Sequence, residues 1–261
     1  MSGTLSGHVA IVTGGSSGIG QAAALALAAR GARVIVVGRT PGHVDATIAR
    51  IDALPGADPA QRIGLALDVR REEDMAAMAA RAIESFGRID ILVASAGVSP
   101  GTAGGRMAGA AVAGLPAGTW DDILDTNLRG MFLADRAVLP AMMRQRAGEI
   151  VNVSSSLGTT PGWAYASAYC ASKFAVVGMS EALAEEVRPL GIRVQVLLPD
   201  AVDTPMLRAT HLGAFGALPP DRLGEFIAGL VTAERDMVLS RPLIAPFRTT
   251  SEPGRRTLIG V

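Results

Sequence analysis

Residues 8–20 read HVAIVTGGSSGIG, an apolar, β-branched run followed at once by glycines at positions 14, 18 and 20. The run does not alternate apolar with polar residues, as expected of a strand covered on both faces. Glycines spaced G-x3-G-x-G let the chain turn tightly between a strand and a helix. They also let a pyrophosphate approach the backbone, where the N–H groups and dipole of the helix end favour an anion. Taken alone, the motif fits ordinary turn glycines about equally well. Its position after the first buried strand favours a dinucleotide, with Gly14, Ser16, Ser17, Gly18, Ile19 and Gly20 as contacts.

Outward from this turn, short apolar strands alternate with Ala-rich helical stretches. Strands are expected at 8–14, 33–38, 62–69, 89–97, 149–155 and 192–199, with a last one inside 236–246. Helices are expected at 18–30, 43–53, 71–87, 119–148, 165–188 and 219–233, the long 119–148 helix bending near Pro140. The pattern predicts an α/β fold: a Rossmann-type, doubly wound parallel sheet of about seven strands with helices on both faces. No linker divides residues 1–261, so one domain is expected. Three segments fall outside the alternation: a Gly/Ala-rich loop at 98–118, a loop at 200–218 suited to meeting substrate, and a polar tail at 246–261.

Lys and Arg total 24, as do Asp and Glu, and 49% of residues are hydrophobic. A neutral chain gives no electrostatic reason to bind nucleic acid or an anionic membrane. Apolar runs such as QAAALALAA are too short to span a bilayer. No export signal is visible, and one cysteine rules out an internal disulfide framework or a cysteine-rich metal site. The expectation is a cytoplasmic protein without a metal.

Strand two ends in VVGRT. Where a dinucleotide fold often places an acid for the adenosine ribose, this chain has Gly38 and Arg39. Arg39 cannot accept from ribose hydroxyls, but its planar fork matches a 2′-phosphate. NADP(H) is therefore expected over NAD(H). A solvated surface arginine is the alternative. Asp68, ending strand three, could accept from the adenine amino group, cap the following helix, or both.

The stretch AYASAYCASKFAVVG (164–178) holds both tyrosines, the cysteine and the only lysine of the chain. The i, i+4 spacing puts Tyr169 and Lys173 on one helix face. A phenol titrates near ~10, and a cation within ~4–6 Å lowers an acid's pKa by about 1–3 units, towards general acid–base range. A lysine kept where every other basic residue is arginine suggests a need for a compact charge. A surface lysine beside a half-buried tyrosine is the plainer alternative. Ser154, Ser155 and Ser156 end strand five, at the sheet edge where ligands of open α/β sheets bind.

Together TGGSSGIG, LDV (67–69), ASAG (94–97), TNLRG (126–130), IVNVSS (150–155), YCASK (169–173) and PDAVDTPM (199–206) resemble the short-chain dehydrogenase/reductase family over about residues 7–206. The resemblance implies a tetrad: Tyr169 as general acid or base, Lys173 tuning it and binding the nicotinamide ribose, Ser155 orienting the substrate oxygen, and Asn127 holding a water in a proton relay. It implies further cofactor contacts at Val69, Ala96, Gly97, Pro199, Val202 and Thr204, and a homotetramer or dimer packed through two long helices. The chain departs from the family where NNAG becomes ASAG and PG becomes PD, which sets Asp200 near the active edge. The interval to the tyrosine would select Ser156, whereas strand alignment selects Ser155.

The reaction implied is interconversion of a ketone and a secondary alcohol with NADP(H). Substrate contacts are expected from Ser156, Trp163, Tyr165, Asp200, Met206 and Leu207, with His211 and Phe215 further along. A non-catalytic NADP-binding scaffold, or a Rossmann epimerase or dehydratase, are the alternatives.

Overall fold

The computed structural model describes residues 5–99, 110–159, 163–209, 216–234, 236–239 and 241–246. Seven strands form one parallel sheet: β1 (Val9–Thr13), β2 (Arg33–Gly38), β3 (Arg62–Ala66), β4 (Ile91–Ala94), β5 (Gly148–Val153), β6 (Ile192–Pro199) and β7 (Leu243–Ile244). Their order is β3-β2-β1-β4-β5-β6-β7. The order reverses between β1 and β4, which pair directly (Ala10 with Ile91, Thr13 with Ala94). That switch point opens a crevice beyond the carboxyl ends of the strands.

Eight α-helices surround the described sheet: α1 (Gly18–Ala29), α2 (Pro41–Asp52), α3 (Glu72–Phe86), α4 (Ala117–Leu124), α5 (Gly130–Gln145), α6 (Ser167–Val187), α7 (Pro205–Arg208) and α8 (Pro220–Thr232). One core lies between the sheet and α3, α5 and α6, around Met75, Met78, Val138, Met142 and Val176. The second lies between the sheet and α1, α2 and α8, around Leu27, Val44, Leu223 and Ile227. Strands β1, β4, β5 and β6 are buried along their whole length, which explains why their sequences lack alternation.

Three expectations need correction. The helix expected at 119–148 carries a π turn at residues 125–129 and ends at Gln145, with Pro140 inside α5. A π turn widens the backbone spiral by one residue, which the sequence pattern does not signal. Strands β3 and β4 are shorter than expected. The last strand is only Leu243–Ile244, paired to Leu198 and Pro199. Residues 100–109 of the 98–118 loop, residues 210–215 with His211 and Phe215, and nearly all of the tail lie outside the described residues.

A buried ion pair fixes the far end of α8. Arg193 on β6 meets Glu149 on β5 at 2.7 Å. It also donates to the carbonyls of Leu230, Ala233, Glu234 and Met237, so one guanidinium ties β6 to the end of α8 and to the chain that follows it.

Candidate active site

A cleft lies at the switch point. Its lining runs from Gly14, Ser16, Ser17, Gly18 and Ile19 past Val37, Gly38, Arg39, Leu67 and Val69 to Ser95, Ala96, Gly97, Thr126, Thr204, Pro205 and Met206. Gly14 has φ +66°, and a Cβ there would stand 2.7 Å from the backbone of Ala96. A Cβ on Gly20 would stand 2.3 Å from the Gly14 carbonyl. Only glycine lets the turn fold this closely on β4 and on itself. Helix α1 begins here with no side-chain cap and no acid in its first turn, so its amides and positive dipole end are left for an anion. These features fit a dinucleotide pyrophosphate.

At the adenosine end, Arg39 is exposed on the cleft wall. The Asp68 carboxylate is held by a neighbouring side chain. Arg70 grips it through Nε at 3.1 and 3.0 Å and Nη2 at 2.6 Å. This hydrogen-bonded guanidinium holds the Asp68 carboxyl below its ordinary value, with Arg39 contributing a weaker pull. One expectation is corrected here: Asp68 does not cap α3. The N-cap is Arg71, and Asp74 reaches back to accept from the Asp68 amide at 2.8 Å. Gly20, Pro199 and Val202 support the cleft without lining it. Val202 is buried and bridges to Leu218. Gly38 lines it beside Arg39, as expected, and Val37, Leu67, Ser95, Thr126 and Pro205 line it without having been anticipated.

Beside the cleft, β5 and α6 bring the polar residues together. The Tyr169 and Ser155 hydroxyls hydrogen-bond each other, and Ser155 Oγ also accepts from the Leu157 amide at 3.2 Å. Ser156 faces elsewhere, its Oγ donating to Asp200 Oδ1 at 3.2 Å. Lys173 is buried and its Nζ donates to the Val153 carbonyl at 3.0 Å. Its Nζ lies 5.6 Å from the centre of the Tyr169 ring. Ser154 Oγ donates to the Lys173 carbonyl at 2.8 Å, a second tie between β5 and α6.

The electrostatics differ from the expectation that Lys173 lowers the Tyr169 pKa. Burial raises the Tyr169 phenol above its ordinary value, and its bond with Ser155 opposes that shift. Burial lowers Lys173 to about 8. Desolvation works against both charged forms, and the ammonium spends its hydrogen bond on a backbone carbonyl. Asn127 is fastened through its side chain. It lies in the π turn, fully buried, with Oδ1 accepting from the Val98 amide at 2.7 Å. Its Nδ2 donates to the Val98 carbonyl at 2.9 Å and to Ser172 Oγ at 3.1 Å. These bonds use both amide hydrogens and one of the two lone pairs of Oδ1. Ser172, whose own Oγ donates to the Tyr169 carbonyl at 2.7 Å, was legible as the residue before the lysine but had not been singled out.

On the substrate side, Met206 lines the cleft, whereas Leu207 sits in α7 with its amide on Thr204 Oγ1. Trp163 and Tyr165 are exposed, and Tyr165 has φ +68°. The structure does not gather these two with the tetrad.

A dinucleotide cleft at a topological switch point, with a hydroxyl pair and a buried amine beside it, defines a Rossmann-type oxidoreductase site. The short chain dehydrogenase family model matches residues 8–213. The chain belongs to the short-chain dehydrogenase/reductase family. It is 36% identical over 222 residues to the 3-oxoacyl-[acyl-carrier-protein] reductase FabG of Escherichia coli, covering 84% of each chain. A metagenomic short-chain oxidoreductase in complex with NADP superposes with TM-score 0.79 and 33% identity, over 94% of this chain and 99% of that one. A 3-ketoacyl-(acyl-carrier-protein) reductase from Brucella melitensis complexed with NADH gives TM-score 0.83 and 28% identity, over 95% and 100%. Among the described residues, no helix is long and apolar enough to cross a membrane.

Proposed function

We propose that this protein reduces a ketone to a secondary alcohol with NADPH, and runs the reverse oxidation with NADP. The observation that carries the reading is the Tyr169–Ser155 hydroxyl pair, set next to a glycine-lined dinucleotide cleft. Gly14, Ser16, Ser17, Gly18 and Ile19 would hold the pyrophosphate, Arg39 the 2′-phosphate, and Thr204 and Met206 the nicotinamide end. Bound there, the reduced nicotinamide supplies a hydride to the substrate carbonyl carbon.

The chain's own residues do the rest. Ser155 donates to the substrate oxygen and positions it for Tyr169. Tyr169 delivers its proton to that oxygen as charge builds there. A phenol held above its usual pKa is a stable acid at neutral pH, which suits the reducing direction. Lys173, near its titration point, returns a proton to the tyrosine. Val69, Ala96 and Gly97 shape the floor without chemistry of their own.

Asp200, tethered by Ser156, stands at the edge where substrate enters and favours substrates bearing a further hydroxyl. Phe132 and Met143 on α5 and Phe174 on α6 are 45, 45 and 48% exposed; these apolar faces support pairing of copies of one 1–261 domain through the long helices. The test is to mix the protein with NADPH, or NADH, and a panel of ketones and follow the nicotinamide absorbance. No oxidation of NADPH with any ketone would reject the reading.

A further inference from the structure

Away from the cleft, three buried polar side chains meet between α5, β5 and α6: Asp135, Asn152 and Ser180, each 3% exposed or less. Ser180 Oγ donates its proton to the Val176 carbonyl at 2.7 Å, so towards Asn152 it can only accept. That fixes the orientation of the Asn152 amide. Asn152 Nδ2 then donates one hydrogen to Ser180 Oγ at 3.0 Å and the other to Asp135 Oδ2 at 2.9 Å. Every donor of the three side chains is now used. Two acceptors remain without a partner, Asp135 Oδ1 and Asn152 Oδ1.

A charged carboxylate here would leave both oxygens orphaned in a dry interior, the arrangement buried polar groups avoid. One proton removes both faults. We infer that Asp135 is a neutral carboxylic acid whose Oδ1–H donates to Asn152 Oδ1, closing a two-hydrogen-bond acid–amide ring that positions the end of β5 for catalysis.

The surroundings agree. No charged side chain opposes a neutral Asp135: α3 packs Met75, Met78 and Ala82 into this core, and α6 contributes Val176 and Val177. Arg136, next on α5, pairs outward with Glu72, and Lys173 is engaged with Val153. On β5, Glu149 is paired with Arg193. Burial raises the Asp135 carboxyl to about 7, with the bond from Asn152 the one opposing influence.

The ring acts through its neighbour. Asn152 precedes Val153, whose carbonyl holds the Lys173 ammonium, and Ser154, which holds the Lys173 carbonyl. Asp135 is therefore a positioning residue: its proton fastens α5 to the strand that sets the catalytic lysine and serine. Losing the proton opens the ring. The native state keeps a proton that the unfolded chain gives up at ordinary carboxylate pH. Stability contributed at Asp135 is thus present in acid and lost as pH rises towards about 7.

The effect on Lys173 rests on the reaction proposed above; the protonation state does not. Three measurements separate them. Infrared spectra of the wild-type protein in D2O at about pH 6 should show the carbonyl stretch of one protonated carboxyl, absent at about pH 9 and absent from Asp135→Asn. No such band would overturn the inference without any variant. Asp135→Asn reproduces the ring with an amide, so denaturation at about pH 9 should find it at least as stable as wild type, the difference closing towards about pH 6; an Asn variant that is weaker at about pH 9 would overturn it. With NADPH and an accepted ketone, wild-type kcat should fall up to about tenfold between about pH 6 and about pH 8, in step with the ring, while KM for NADPH holds. Asp135→Asn should lack that step, and superimposable profiles would overturn the positioning role. Absence of turnover in both proteins would count against the reaction, and leave the infrared and stability results to decide the proton.

Discussion

The Lys173 ammonium donates to the Val153 carbonyl 3.0 Å away and lies 5.6 Å from the centre of the Tyr169 ring. A buried amine with a neutral acceptor is poorly compensated, which is why its pKa falls to about 8. The unfolded chain therefore binds more protons than the folded one between about 8 and the ordinary lysine value, and stability rises with pH across that interval. Lys173→Met should be more stable than wild type at neutral pH by on the order of 1–3 kcal/mol, with the gap shrinking as pH approaches ~10. It should also lose turnover. Urea unfolding at both pH values, alongside NADPH oxidation, checks this; equal stability at neutral pH would refute it.

Tyr169→Phe removes the titrating hydroxyl and its bond to Ser155 but keeps the ring. Ketone reduction should fall by about 10²–10⁴-fold, the usual worth of a positioned acid. NADPH binding, followed by fluorescence titration, should stay within about twofold. A variant that still turns over would exclude Tyr169 as the proton donor.

Arg39 stands on the cleft wall with Asp68 already engaged by Arg70, so it remains the guanidinium available to a 2′-phosphate there. Arg39→Asp should lower kcat/KM with NADPH by about ten- to a hundredfold and raise it with NADH, consistent with losing a charge-assisted contact and adding a ribose acceptor. An unchanged NADPH/NADH ratio would remove the case for NADP.

Arg193 and Glu149 form a pair that is almost wholly buried. Arg193→Leu should cost about 3–5 kcal/mol, because it strands a carboxylate and removes the side-chain bonds to carbonyls at and just beyond the end of α8. Removing both charges as Glu149→Leu/Arg193→Leu should recover part of the loss. Chemical denaturation of the two variants decides it: a double variant no better than the single would show that the carbonyl contacts, not the stranded charge, dominate.

Much of this was legible in the sequence. The doubly wound parallel sheet, the glycine turn and the placing of Tyr169 and Lys173 on one face follow from patterns that local physics enforces: buried strands lack alternation, and i, i+4 residues share a helix face. What stayed hidden was set by competition between partners. Asp68 was a candidate cap for α3, but Arg71 takes that position and Arg70 holds the Asp68 carboxylate. Asn127 binds the Val98 backbone and Ser172, contacts that no local pattern announces. Lys173 was expected to serve Tyr169, and the Val153 carbonyl was closer. The π turn at 125–129 has no signature in the residue pattern and shows only in three dimensions. The acid–amide contact needs three elements to come together, and no periodicity announces it.

Because residue 173 carries the chain's sole side-chain amine, the protein comes with a built-in chemical reporter. A reagent that acylates primary amines has only that nitrogen and the chain terminus to attack. Mass spectrometry of the labelled peptide would then read, from one site, how far ligands shield the pocket.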